Sequence, residues 1–189
     1  MPQFPSLPET AHLTDLFVRF PKTVQPLMAY TNAVLRSDGA LSVADRELIA
    51  AYVSGLNACR FCFGSHLIYA RALGVPEGQI EAIIEDPNNA APKWQPLLAY
   101  VRKLNTLPSQ MVPGDAQAVL DAGWSEEALF EAIEVAGLFN LMNRMIEGAG
   151  VNFDYGDSPE GHTVTSDDAA ALQDSYLQYG AKIAALAKG

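Results

Sequence analysis

The chain has 189 residues, 49% of them hydrophobic, and carries 12 Lys and Arg against 22 Asp and Glu, giving a net charge of −10 and a pI near 4.6. This supplies a sizeable core and speaks against disorder. The acidic balance and scattered cations speak against a nucleic-acid or anionic-membrane partner, since phosphate binding needs a basic patch.

The first ten residues, MPQFPSLPET, have neither a positive n-region nor an apolar h-region, so a cytoplasmic protein is expected. No membrane span is expected either, because even the apolar segment 128–146 is interrupted by Glu131, Glu134 and Arg144. Residues 1–40 are punctuated by proline and read as a packing arm, with short helices over 13–20 and from Pro26 to just before Ser37-Asp38-Gly39. Ser42, with Asp45 three residues on, is an acidic form of the capping box, and Ile49, Tyr52, Val53 and Leu56 follow at helical spacing. That helix is expected to stop at 55–57, with Asn57 capping the next one over 59–73.

Gly74 and Pro76 end that helix, and Pro76 opens another through Ile84. After a break at 86–92, helices are expected over 93–107, 114–122 and, capped by Ser125, as far as Glu147 before Gly148-Ala149-Gly150. A Gly-rich loop over 150–165 leads to Ser166, Asp167 and Asp168 and an amphipathic helix over 166–187. No stretch alternates with period two, so the chain is all-α: a single domain over 1–189, with a core at 41–150. Gly74-Val75-Pro76-Glu77 to Ile80 and Gly123-Trp124-Ser125-Glu126 to Leu129 share a spacing, which points to a helical unit used twice.

The chain's two cysteines stand three apart, Cys59 and Cys62, with His66 four residues later and Glu47 twelve before Cys59. On a helix, 59, 62 and 66 share one stripe, so two sulfurs and an imidazole can meet. A helix N-terminus, the second thiol and Arg60 favour a thiolate at Cys59. His66 would serve as a base, since a free thiol is only a few per cent ionised near neutrality, and Glu47 would orient the ring. The same four side chains are also conceivable zinc ligands, although structural zinc sites usually use two well-separated ligand pairs. Asn140, Asn143 and Arg144 lie close together on the long helix and would line a pocket or an interface.

The pattern E-x11-C-x2-C-x3-H formed by Glu47, Cys59, Cys62 and His66 resembles the AhpD-like alkylhydroperoxidase and carboxymuconolactone decarboxylase superfamily. The resemblance runs from Ser42 to Pro76 and more loosely over 139–144, where the chain looks like the peroxidase-related branch. It implies an AhpD-like helical fold with an internally duplicated unit, a homo-oligomer, and a peroxidase cycle without haem, flavin, metal or other cofactor. By that resemblance Cys62 attacks the hydroperoxide, Cys59 resolves the sulfenic acid as a disulfide, and His66 with Glu47 relays protons. A lipoyl- or thioredoxin-like dithiol would reset the enzyme. Alkylhydroperoxidase members place a histidine before the second cysteine, where this chain has Phe61. The alternative expectation is a redox sensor or disulfide-exchange module with little peroxidase turnover.

Overall fold

A computed structural model describes residues 2–151 and 173–188. Nine α-helices and three short 3-10 turns make up the regular structure among these residues, and no strand occurs there. In chain order the helices are α1 (Leu13–Arg19), α2 (Val24–Arg36), α3 (Val43–Leu56), α4 (Arg60–Ala72), α5 (Gln79–Glu85), α6 (Trp94–Thr106), α7 (Pro113–Asp121), α8 (Glu126–Ala149) and α9 (Ser175–Leu186). The all-α expectation holds.

Helix α3 is the hub of the bundle. Every residue from Arg46 to Ser54 is buried, as befits a helix surrounded by others rather than one with a single apolar stripe. It packs against α4, α5, α6 and α8, while α9 lies along α2 and α1. One buried cluster runs from Ala11 through α3 and α8 to Ile183 of α9. The arm that the prolines mark out is therefore part of the core: Phe17, Met28 and Leu35 are almost wholly enclosed.

Local signals explain most of the helix ends. The Ser42 hydroxyl accepts from the Asp45 amide at 3.2 Å and Asp45 Oδ2 accepts from the Ser42 amide at 3.0 Å, a reciprocal pair that starts α3. Ser125 accepts from the Ala128 amide at 3.0 Å and starts α8, which Gly150 ends in the left-handed conformation at φ 69°. The repeated Gly-x-x-Glu spacing has a geometric basis. At both places the residue after a left-handed glycine bonds back five residues, Val75 N–H to the Ala70 carbonyl at 3.0 Å and Trp124 N–H to the Val119 carbonyl at 3.4 Å.

Four expectations need correction. Asn57 is the C-cap of α3, not an N-cap; Ala58 follows at φ 55°, and this left-handed step makes Cys59 the N-cap of α4. Pro76 does not open a helix, since α5 begins only after Gly78 at φ 76°. Helix α2 begins two residues before Pro26, on the 3-10 turn that Pro21 leads. The break after Asp86 contains a 3-10 turn, with Asp86 Oδ1 accepting from the Asn88 amide at 2.9 Å. The loop at 150–165 and the start of the C-terminal helix at Ser166 lie outside the described residues, apart from Gly150 and Val151.

Candidate active site

Of the four residues singled out by spacing, His66 and Glu47 meet where α3 and α4 pack together, and Cys59 and Cys62 form a hydrogen-bonded pair at the start of α4. Cys59 and Cys62 are free thiols, both buried, at the first turn of α4. Helical spacing carries His66 one turn further, and α3 presents Glu47 opposite it. The His66 ring Nδ1 and Glu47 Oε2 are 2.5 Å apart. With Nδ1–H donating to the carboxylate, Nε2 of the neutral ring is the acceptor, so the ring is set up to take a proton on its far side.

Glu47 has a second charged partner that the spacing did not reveal. Arg36, the last residue of α2, places Nη1 2.6 Å from Glu47 Oε1, with side chains 2% and 0% exposed respectively. Burial pushes the Glu47 carboxyl up, but His66 and then Arg36 outweigh it and hold it below the ordinary carboxylate value. Arg36 in turn is roofed by two phenol rings, Tyr69 of α4 at 5.7 Å and Tyr176 of α9 at 5.0 Å from the guanidinium carbon. Phe139 of α8 meets the His66 ring edge-on at 4.4 Å. Glu47 is thus a buried anion fixed between two basic side chains, and the aromatic shell excludes water from it.

The two sulfurs share a proton. The Cys59 thiol is drawn below its ordinary value, first by the Cys62 thiol hydrogen-bonding to it, against the opposing effect of burial. Cys62 is driven up, first by that same hydrogen bond and then by burial. The groups outside the pair pull the other way. The Glu147 carboxylate near the end of α8 accepts from Cys59 and favours its protonated form, while the Asn143 side chain donates to Cys62 and favours its thiolate. The hydrogen bond within the pair and the burial of Cys62 place the monoanion's charge on Cys59, and Asn143 is the group that opposes this by favouring charge on Cys62.

Among the described residues, no group of three or more His, Cys, Asp or Glu is disposed to hold a metal ion. Glu47, a conceivable fourth zinc ligand, is instead committed to Arg36 and His66. No helix of the described residues is long and apolar enough to cross a membrane.

Asn143 of the predicted Asn-Asn-Arg group does reach the site, buried behind Cys62, whereas Asn140 is half-buried and Arg144 exposed. Sequence reasoning missed Arg36, Glu147, Tyr69, Tyr176 and Phe139. Each joins the site through tertiary packing, and none has a distinctive spacing from the cysteines.

A buried CxxC dithiol and a histidine bonded to a buried carboxylate thus lie on an all-helical scaffold. The fold matches the alkylhydroperoxidase AhpD core of a peroxidase-related protein from Ralstonia eutropha JMP134, with a TM-score of 0.69 at 20% identity over 75% of each chain. A peroxidase-related protein from Silicibacter sp. TM1040 matches with a TM-score of 0.67 at 20% identity over 73% of each chain. In sequence, the uncharacterized protein YdfG of Bacillus subtilis (strain 168) is 26% identical over 102 residues, 53% of this chain and 69% of that one. Residues 21–102, which include all four motif residues and Arg36, match the carboxymuconolactone decarboxylase family. The family match covers less than half of the chain, and the structural likeness shows a shared fold.

Proposed function

We propose that the protein is a cysteine-dependent hydroperoxide reductase. This reading is supported by the buried cysteine pair at the start of α4 and, one turn further along the same helix, His66 bonded to the buried Glu47–Arg36 ion pair. In the reaction, the Cys62 thiolate donates an electron pair to the terminal oxygen of a hydroperoxide, and the O–O bond breaks. His66, having taken the Cys62 thiol proton, passes it to the departing alkoxide, and Cys62 becomes a sulfenic acid. The Cys59 sulfur then attacks the Cys62 sulfur, forming the disulfide and releasing water. An external dithiol restores both thiols and is itself oxidised to a disulfide, so the sum is hydroperoxide plus dithiol giving alcohol, water and disulfide.

Glu47 fixes the ring and its tautomer, and Arg36 keeps Glu47 ionised in its buried place. With Cys59 0% and Cys62 3% exposed, the site favours narrow substrates, and a slender lipoyl-type dithiol fits it better than the flat face of a protein reductant. That burial also disfavours the sensor reading, in which the cysteines would exchange with a partner's disulfide. The decarboxylase branch of the family does not depend on a CxxC pair, so the dithiol argues against that chemistry here.

The test is turnover of hydrogen peroxide and of an organic hydroperoxide with dihydrolipoamide. Wild type should turn over, Cys62→Ser should be inactive, and Cys59→Ser should accumulate a sulfenic acid on Cys62 that dimedone labels. Free, metal-free thiols without turnover would remove the peroxidase reading and leave the redox switch.

A further inference from the structure

Behind Cys62 a row of side-chain amides links the dithiol to a surface cation. Arg144 Nη1 donates to Asn140 Oδ1 at 2.5 Å, Asn140 Nδ2 to Asn105 Oδ1 at 2.7 Å, and Asn105 Nδ2 to Asn57 Oδ1 at 2.9 Å. Asn57 Nδ2 then donates to Asn143 Oδ1 at 2.9 Å, and Asn143 Nδ2 to Ser54 Oγ at 3.2 Å. Three helices and the C-cap of α3 contribute, with exposure falling from Arg144 at the surface to Asn143 and Ser54 in the core.

Every bond runs in the same direction. Arg144 is donor-only, so Asn140 must turn its oxygen toward it, and Asn140 Nδ2 also donates to the Ala136 carbonyl at 2.9 Å. That fixes Asn140, and each amide then fixes the next. Successive dipoles aligned head to tail, with a cation at the tail, polarise one another. The last N–H group, on Asn143, is thereby made a stronger donor. No core-packing need explains four linked asparagines, which an apolar set could replace without the cost of burying amides.

We propose that this asparagine row is an electrostatic relay that carries the positive field of Arg144 to the dithiol, with Asn143 as the group that delivers it to Cys62. Its function is to favour charge on Cys62 against the hydrogen bond within the pair, and to hold the negative charge of the sulfur through attack. It moves no proton, since amides in a row transmit polarisation rather than protons. Asn57, Asn105, Asn140 and Arg144 are positioning residues; of the row, Asn143 is the one that bonds to the reacting sulfur. The inference rests on Cys62 as the attacking thiol. The titratable and charged groups around that sulfur are Cys59 and His66 of α4, Glu47 of α3 with Arg36 of α2 behind it, Glu147 of α8, and Tyr176 of α9 with Tyr69 beside it.

The test is the pH dependence of iodoacetamide labelling of each cysteine in the reduced protein, read by peptide mass spectrometry. It requires no hydroperoxide, so it is separate from success or failure of the peroxidase reading. Arg144→Gln, at an exposed position, should raise the apparent Cys62 pKa by about 0.3–0.5 unit, a two- to threefold loss of thiolate, while Arg144→Lys should restore most of it. Asn105→Ala, which cuts the row midway, should give a similar shift, and adding Arg144→Gln to it should change nothing further. A Cys62 profile unmoved by Arg144→Gln would overturn the relay. So would an Arg144→Gln shift that survives undiminished in the Asn105→Ala background, because the field would then reach the sulfur without the amides.

Discussion

Replacing Arg36 with methionine would strand the Glu47 carboxylate. In the native site the two charges are 2.6 Å apart and both are enclosed, and His66 occupies the other carboxylate oxygen at 2.5 Å. Breaking a buried pair by removing one partner costs about 3–5 kcal/mol, since the remaining charge keeps its desolvation penalty. In a domain of this size each kcal/mol moves Tm by about 2–4 °C, so Arg36→Met should melt about 6–20 °C lower. The double variant Arg36→Met, Glu47→Gln carries neither charge and should recover at least half of that loss.

The pH dependence has a definite sign. Glu47 is held below the ordinary value of 4.5, so its contribution to stability is present above that pH and is lost as the pH falls through the folded value. Without Arg36 the folded value rises, and the loss on acidification should begin at higher pH than in wild type. Differential scanning calorimetry from pH 4 to 8 on the four proteins of this cycle decides the matter. Strictly additive Tm changes would refute the coupling between Arg36 and Glu47 on which the array depends.

Gly39→Ala should destabilise by about 1–3 kcal/mol, measured by urea unfolding, because an added Cβ would strike the Arg46 guanidinium and the Glu131 carboxylate that accepts from the Ala40 and Leu41 amides at 2.8 and 2.9 Å. Ser125→Ala removes the cap on the 24-residue α8 and should cost about 0.5–2 kcal/mol in the same assay, with Ser125→Asp close to neutral. The 60% exposed Phe130 and 47% exposed Leu141 lie on one face of α8, and a homo-oligomer contact there is expected. Analytical ultracentrifugation should then show a shift toward monomer for Phe130→Glu with Leu141→Glu, and an unchanged mass would place the contact elsewhere.

How much of this was legible beforehand depended on the range of the signal. Ser42 with Asp45, Ser125, Gly74 and Gly150 act within one turn of the chain, so the helix order could be read directly. Asn57 looked like an N-cap because it precedes a helix, yet its amide is engaged by Asn143 and Asn105, 86 and 48 positions away. The Cys59, Cys62 and His66 stripe was legible because helical geometry fixes it, and Glu47 because it precedes the cysteines at a known interval. Arg36 had no such mark: a basic residue in the last turn of a helix reads as a solvated partner of the dipole, and only packing of α2 against α3 makes it a buried ion. The helix-dipole reading nominated Cys59 and the histidine spacing Cys62. The first has its counterpart in the hydrogen bond within the pair, and the second in the Asn143 bond to Cys62.

The most direct measurement is a single-turnover titration of the reduced protein with cumene hydroperoxide, following thiol loss, alcohol formation and the mass of the peptide carrying 59 and 62. One equivalent of hydroperoxide should yield one equivalent of alcohol and one Cys59–Cys62 disulfide, with Cys59→Ser halting at a Cys62 sulfenic acid and His66→Ala slowing the step by about 10²–10⁴-fold. Hydroperoxide left unconsumed by fully reduced wild type, or a sulfenic acid formed on Cys59 in Cys62→Ser as fast as on Cys62 in Cys59→Ser, would contradict the assignment of Cys62 as the sulfur that reduces the peroxide bond.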